Sequence, residues 1–137
     1  MEGREVTLEL LGTTELEIAY LAGLFDGEGC VTVSREVRQG KERVRARISV
    51  AMTTPEPLFI YKRIFGGAIS VREPKRKNWK TCYDWHLQGG KVALFLRALE
   101  PYILVKKDKL LLSLSLLSYY GIGSPRRIQL GEQISPR

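Results

Sequence analysis

The stretch "EIAYLAGLFDGEGCVTV", residues 17–33, decides the reading of this chain. Its first half is helical, with Ile18, Ala19, Tyr20, Leu21, Ala22, Leu24 and Phe25 as candidate buried residues. Asp26-Gly27-Glu28-Gly29 then sets two carboxylates between glycines, and Val31 and Val33 alternate with Thr32 as in a strand. A carboxylate at a helix C-terminus opposes the helix dipole, at a cost of about 0.3–1 kcal/mol. The two acids are either solvated loop residues or ligands. A divalent cation, which takes carboxylate and carbonyl oxygen, would remove the penalty. One or two acids are too few for a full site, and a symmetric dimer would supply the rest. Ala19 and Gly23, four apart with Ala22 beside them, form a small-residue strip. Such a strip lets a second backbone come close, or packs on a helix of the same chain.

Working outward, Thr14 and Glu17 have the spacing of a capping box. The helix is expected from about Glu15 to Phe25, stopped by Gly27 and Gly29, with residues 1–13 a leader or loose N-terminal extension. Residues 30–38 and 43–53 read as two strands around a Gln39-Gly40-Lys41 turn. A short helix over 58–65 ends at Gly66-Gly67. Strands over 68–73 and 81–87 follow, joined by the basic segment "EPKRKNWK". A helix over 90–99 stops before Pro101, and a leucine-rich helix runs from about Lys107 to Tyr119 with Leu110, Leu111, Leu114 and Leu117 inward. Residues 121–137 read as a C-terminal tail, whose Arg126, Arg127 and Arg137 could add phosphate contacts. The fold class expected is α+β: an antiparallel four-stranded sheet in the order α-β-β-α-β-β-α-α, with helices on one face and the other face open.

The bulk numbers fit one domain. The chain has 137 residues, 44% hydrophobic and 27% charged, ordinary for a globular protein. The longest apolar run, at 110–117, is too short to span a bilayer, and the acidic N-terminus is unlike a signal peptide. A soluble, unsecreted protein without membrane contact is expected, in a cytoplasm or organelle matrix. Two isolated cysteines, Cys30 and Cys82, and the single His86 give neither a disulfide framework nor a zinc site. Residues 1–28 hold seven acids and one base, a net −6, so with +7 overall the remainder carries +13. A surplus of that size points to a polyanion, nucleic acid being the commonest; a basic protein kept soluble by its charge is the alternative.

Strand alternation says where the charge sits. Arg43, Arg45, Arg47, Ser49 and Thr53 fall on one face, and Val44, Ala46, Ile48, Val50 and Met52 on the other. Thr32, Ser34, Glu36 and Arg38 join the first set from the preceding strand, with Lys41 at the turn. Ser70 and Arg72 join from the third strand, and Lys75, Arg76, Lys77 and Lys80 sit on the hairpin tip. Tyr83, Trp85 and Leu87 point to the core, which puts Asp84 and His86 on the basic face. Guanidinium groups suit phosphates and guanine edges, and a two-stranded ribbon fits the major groove. A strand of about ten residues spans about ten base pairs. Trp79 has two readings, a contact to the nucleic-acid backbone or packing at the hairpin tip.

"LAGLFDGEG", residues 21–29, resembles the signature of the LAGLIDADG homing endonucleases. Six of nine positions are identical and Glu28 is a conservative acid; Phe25 and Gly27 depart from the consensus. "IFGG" at 64–67 and "PYILVKK" at 101–107 also sit where the family has related features, so the resemblance covers about residues 14–120, the single domain expected.

The resemblance implies a metal-dependent, site-specific double-strand DNA endonuclease. One signature copy implies a homodimer on a long pseudo-palindromic site, with Ala19, Ala22, Gly23 and Asp26 at the paired helices. The acid at the eighth motif position, Glu28, would bind Mg²⁺ (with Mn²⁺ or Ca²⁺ as substitutes for binding), helped by the backbone carbonyl of Gly27. Asp26 would serve the helix end. Lys106, with Lys107 next, matches the family's catalytic lysine, and Thr53 falls near a water-positioning residue. The alternative on the same fold is a non-cleaving relative, an intron RNA maturase or DNA-binding regulator, for which intron RNA is a further partner; the retained Glu28 and Lys106 favour the endonuclease, since a pure binder needs neither.

Overall fold

The computed structural model describes residues 8–121, and the tail from 122 onward, with its three arginines, lies outside them. The signature helix, α2, is Glu15–Glu28 and follows a four-residue helix α1, Leu8–Leu11. β1 (Gly29–Arg38) begins at the very next residue, so the chain passes from helix to strand without a loop. β2 (Lys41–Met52) returns beside it, with Arg38 opposite Lys41. The turn is therefore the pair Gln39-Gly40, both at positive φ (52° and 76°), and Lys41 belongs to the strand. Two positive-φ residues match the right-handed twist of the flanking strands.

α3 (Glu56–Phe65), β3 (Ala68–Arg72), β4 (Cys82–Gln88), α4 (Lys91–Leu99), a 3₁₀ turn (Glu100–Tyr102) and α5 (Lys107–Tyr119) complete the chain. The sheet is antiparallel in the order β1-β2-β4-β3. Helices cover one face, as the sequence pattern requires. Phe95 of α4 is the hub of the core: edge-on to Phe25 and Phe65, and tilted against Trp85 and Tyr61. Tyr61 stacks on Trp85 at 4.7 Å and gives its hydroxyl proton to the Leu21 carbonyl at 2.7 Å. Trp85 Nε1 donates to the Gly66 carbonyl at 2.8 Å. Gly67, at φ +86°, passes so close to β4 that a Cβ would fall 2.4 Å from the His86 carbonyl oxygen. "IFGG" is thus the seam where α3 is pulled against the tryptophan.

Four expectations are corrected. The signature helix does not stop at Phe25: Gly27 stays helical, and only Gly29 closes α2, its N–H donating to the Phe25 carbonyl. The capping box is half made. Thr14 Oγ1 accepts from the Glu17 N–H at 3.2 Å, but the Glu17 carboxylate takes the Thr13 hydroxyl proton at 2.7 Å and an ion pair with Arg63. Residues 8–13 are attached rather than loose, because Leu8 and Leu11 pack on the core and Arg63 also donates to the Gly12 carbonyl. In α5 the buried stripe is Leu110, Ser113 and Leu117, with Leu111 left exposed.

Candidate catalytic site and nucleic-acid interface

The end of α2 carries the chemistry. Asp26 points back into its own chain, where its carboxylate accepts three consecutive amide protons: Leu104 at 2.7 Å, Val105 at 2.9 Å and Lys106 at 2.8 Å. Burial pushes the Asp26 carboxyl up, but the three amides and the Lys106 charge outweigh it and hold it below its usual value. The dipole penalty that made this acid puzzling is thus offset inside the monomer. The Lys106 ammonium donates to the Asp26 carbonyl at 2.7 Å, a cation on the C-terminal carbonyls of a helix. Lys107 turns away and donates to the Glu100 carbonyl. The sequence left two lysines; the structure brings Lys106 to the helix end.

Glu28, two residues on, is exposed and makes no hydrogen bond or ion pair among the described residues. Of the last-turn carbonyls, Phe25's accepts from the Gly29 N–H and Asp26's from the Lys106 ammonium, which leaves Gly27's with no partner further along the helix. A free carboxylate beside the Gly27 carbonyl is a hard-oxygen donor pair that fits Mg²⁺, Mn²⁺ or Ca²⁺. It is a fragment of a site, since no three His, Cys, Asp or Glu side chains cluster among the described residues.

α2 is apolar almost all round. Ile18, Leu21, Ala22 and Phe25 face the core. The outer face carries Leu16 (84% exposed), Tyr20 (52%), Gly23 and Gly27, at i, i+4, i+7 and i+11, with Ala19 half-buried at its edge. A Cβ added at Gly23 or Gly27 would meet nothing within 4 Å. Neither glycine is explained by packing among the described residues. Ala22 was expected on this face but is fully buried in the chain's own core, on the α2 side turned toward α4 and the sheet. Leu16 and Tyr20 were missed. They are legible only once the buried side is known, because the helix has no polar face to mark its outside.

The open face of the sheet is built by register. Thr32 pairs with Arg47, Ser34 with Arg45, Glu36 with Arg43, Arg38 with Lys41 and Cys30 with Ser49. β4 adds Gln88 beside Arg47, His86 beside Ser49 and Asp84 beside Ala51, and β3 adds Ser70 and Arg72. Six cations and two acids therefore share one surface. The acids are paired: Glu36 lies 3.8 Å from Arg45 and Asp84 3.6 Å from Arg72. Arg38, Lys41, Arg43 and Arg47 have no ion partner among the described residues. Ser70 Oγ meets His86 Nε2 at 3.1 Å. Asp84 Oδ1 is buried without a donor. Thr32, Ser34, Arg45, Arg47 and Gln88 line a shallow hollow on this face. Gln88 was overlooked, although its alternation with His86 and Asp84 already placed it here.

Lys75, Arg76, Lys77 and Lys80 lie on the exposed β3–β4 connection, beyond the paired rungs. There Trp79 is half exposed, with the Arg76 guanidinium 5.2 Å from its ring centre, a cation–π contact that holds the two together. Thr53 is exposed one residue past β2, and no hydrogen bond among the described residues ties it to Glu28 or Lys106. Cys30 is exposed and Cys82 half-buried, both as free thiols. Among the described residues no helix is long and apolar enough to cross a membrane.

The α+β architecture, an antiparallel four-stranded sheet with helices on one face, is that of the LAGLIDADG homing endonucleases. The family model of the LAGLIDADG-like domain matches residues 15–112, and the chain belongs to that family. Its fold is similar to the homing endonuclease I-CvuI, solved on DNA in the presence of Mg: 25% identity, TM-score 0.59, covering 76% of this chain and 67% of that one. The archaeal intron-encoded homing endonuclease I-Vdi141I, solved with DNA, superposes with TM-score 0.61 at 20% identity over 88% of this chain and 78% of its own. The group I intron-encoded I-CeuI, also with DNA, gives 0.57 at 17% over 85% and 58%. No curated protein matches the chain.

Proposed function

We propose that this chain is a homodimeric, divalent-metal-dependent DNA endonuclease that binds a long pseudo-palindromic duplex site on its open sheet face. The observation that carries the reading is the joint end of α2, where Glu28 is free, Gly27 offers a carbonyl and Lys106 is docked on Asp26, two residues before Glu28.

The roles follow from the chemistry of each group. Arg38, Lys41, Arg43, Arg45, Arg47 and Arg72 neutralise phosphates and present guanidinium forks to guanine edges, while Thr32, Ser34, Ser49, Ser70, His86 and Gln88 give shorter polar contacts. Lys75, Arg76, Lys77 and Lys80 extend the positive surface past the sheet. Glu28 and the Gly27 carbonyl are the residues that would hold Mg²⁺. A cation bound there supplies Lewis-acid polarisation of water and of the scissile phosphate. The Lys106 ammonium offsets negative charge developing on phosphorus and orders the water around it. Asp84 keeps Arg72 in place on the face.

Among the described residues the end of α2 carries one free acid, Glu28, so a second at the same place comes from a second copy. The two glycines that face nothing, with Leu16 and Tyr20 beside them, are the surface we assign to that contact. Glycine inside a helix costs about 1 kcal/mol relative to alanine, and close approach of an identical helix returns it. A two-fold contact at Gly23 brings both Glu28 carboxylates to one place.

The test is cleavage of a randomised duplex DNA library with Mg²⁺ and with EDTA. Mg²⁺-dependent cuts at one long, near-palindromic sequence support the reading. Tight duplex binding with no cleavage in Mg²⁺, Mn²⁺ or any mixture contradicts it and leaves a DNA-binding protein.

A further inference from the structure

The segment between the buried Ile103 and the start of α5 is held in an unusual way. Leu104 and Val105 are 83% and 81% exposed, so their side chains contribute almost no packing. A tripeptide of this kind is ordinarily free to move. Here its three successive amides all converge on one carboxylate, that of Asp26, 78 to 80 residues earlier in the chain. Hydrogen bonds from backbone N–H to an ionised carboxylate are among the strong ones. They also fix direction: with Lys106 N–H on Oδ1, its side chain runs along the end of α2 to the Asp26 carbonyl. Asp26 thus grips Lys106 twice, by its carboxylate and by its own backbone.

We infer that Asp26 is the positioning residue for Lys106: its carboxylate, rather than local packing, sets the Leu104–Lys106 backbone and so aims the ammonium at the end of α2 beside Glu28. This deepens the endonuclease reading and rests on it for its kinetic consequence. The geometric part stands apart from that reading. Leu104 and Val105 lend no burial that could replace the carboxylate, and the grip leaves Glu28 untouched. Asp26 therefore acts through the lysine and not as a ligand.

The experiment uses the full chain and the variants Asp26→Asn, Lys106→Ala and the double variant. Asparagine keeps the shape but turns an N–H₂ toward an amide donor, so at least one of the three bonds is lost. In the wild type, amide exchange of Leu104, Val105 and Lys106 is expected at least about tenfold slower than in the exposed 75–80 connection, and Asp26→Asn is expected to remove that protection while β2 amides are unchanged. In single-turnover cleavage Asp26→Asn is expected to lose about 100-fold in rate with DNA affinity kept within about twofold. Lys106→Ala is expected to lose as much or more, and the double variant no more than Lys106→Ala alone. Additive losses, or a weakened Kd with an unchanged rate, overturn the positioning role. Fast exchange of the three amides in the wild type overturns it even if the chain cuts no DNA or Asp26→Asn fails to fold. Slow exchange in a chain that does not cut DNA upholds the grip and rejects only the endonuclease reading.

Discussion

Gly29 lies against the ring of Phe25, and a Cβ built on it would fall 2.0 Å from Phe25 Cδ1. This contact lets α2 pass into β1 with no intervening loop, and so sets Glu28 at the very edge of the sheet. Gly29→Ala must push the ring into Phe95, its edge-on neighbour at 5.2 Å. A loss of about 1–3 kcal/mol is expected from such overpacking, read as a lower midpoint in urea denaturation. An unchanged midpoint would show that the ring moves freely and that the join is not tight.

Gly23 is the contrasting case. Among the described residues nothing lies within 4 Å of an added Cβ there, so Gly23→Ala should leave the monomer fold intact or gain up to about 1 kcal/mol of helix propensity. Gly23→Leu should leave far-UV dichroism unchanged and shift the protein from dimer to monomer in light scattering. A dimer that survives Gly23→Leu at micromolar concentration would move the interface elsewhere.

Charge on the sheet face can be tested in both directions. Arg45→Ala should weaken DNA binding and lower the slope of log Kd against log salt by about one. Glu36→Gln removes the carboxylate 3.8 Å from Arg45 and should tighten binding at low salt. If neither substitution changes the salt slope, the DNA lies on another surface.

Glu17 gives a pH signature at the other end of α2. The Thr13 hydroxyl and then Arg63 hold its carboxyl below the ordinary value of 4.5. A carboxyl depressed on folding adds stability that is complete above its unfolded pKa and lost as pH falls through the folded one. The Tm difference between wild type and Glu17→Gln should therefore be constant above about pH 6, shrink below 4.5 and vanish in stronger acid. A difference that does not change with pH would mean that the ion pair with Arg63 contributes nothing in solution.

Much of this was legible in the residues. Strict alternation of Arg43, Arg45 and Arg47 against Val44, Ala46 and Ile48 fixed which side of the sheet is wet, because period two admits no drift. Asp84 and His86 followed from the inward Trp85 for the same reason. α5 was legible to the residue, since Lys107 to Tyr119 is bounded by a turn and Gly121. The misses have a common cause in contacts distant in sequence. Asp26 looked unrewarded because its three donors lie some 80 residues away. Tyr20 read as core, and Ala22 read both as core and as part of the pairing strip, because α2 is apolar on every side, so periodicity cannot orient it. Gly27 read as a helix stop because glycine is a usual terminator, whereas here it stays helical with open space among the described residues where a Cβ would be. The capping box failed because Arg63 and the Thr13 hydroxyl outbid the Thr14 amide for Glu17.

The central claim is that Glu28, free at the end of α2, carries the metal for cleavage without serving the fold or the DNA grip. The direct measurement is paired binding and cleavage of the selected site by wild type and Glu28→Gln, in Mg²⁺ and in EDTA. Wild type should bind with or without Mg²⁺ and cut only with it. Glu28→Gln should remain folded and dimeric, bind the same DNA, and leave it uncut, a loss of at least about 100-fold in rate. Cleavage by Glu28→Gln at the wild-type rate would contradict the account.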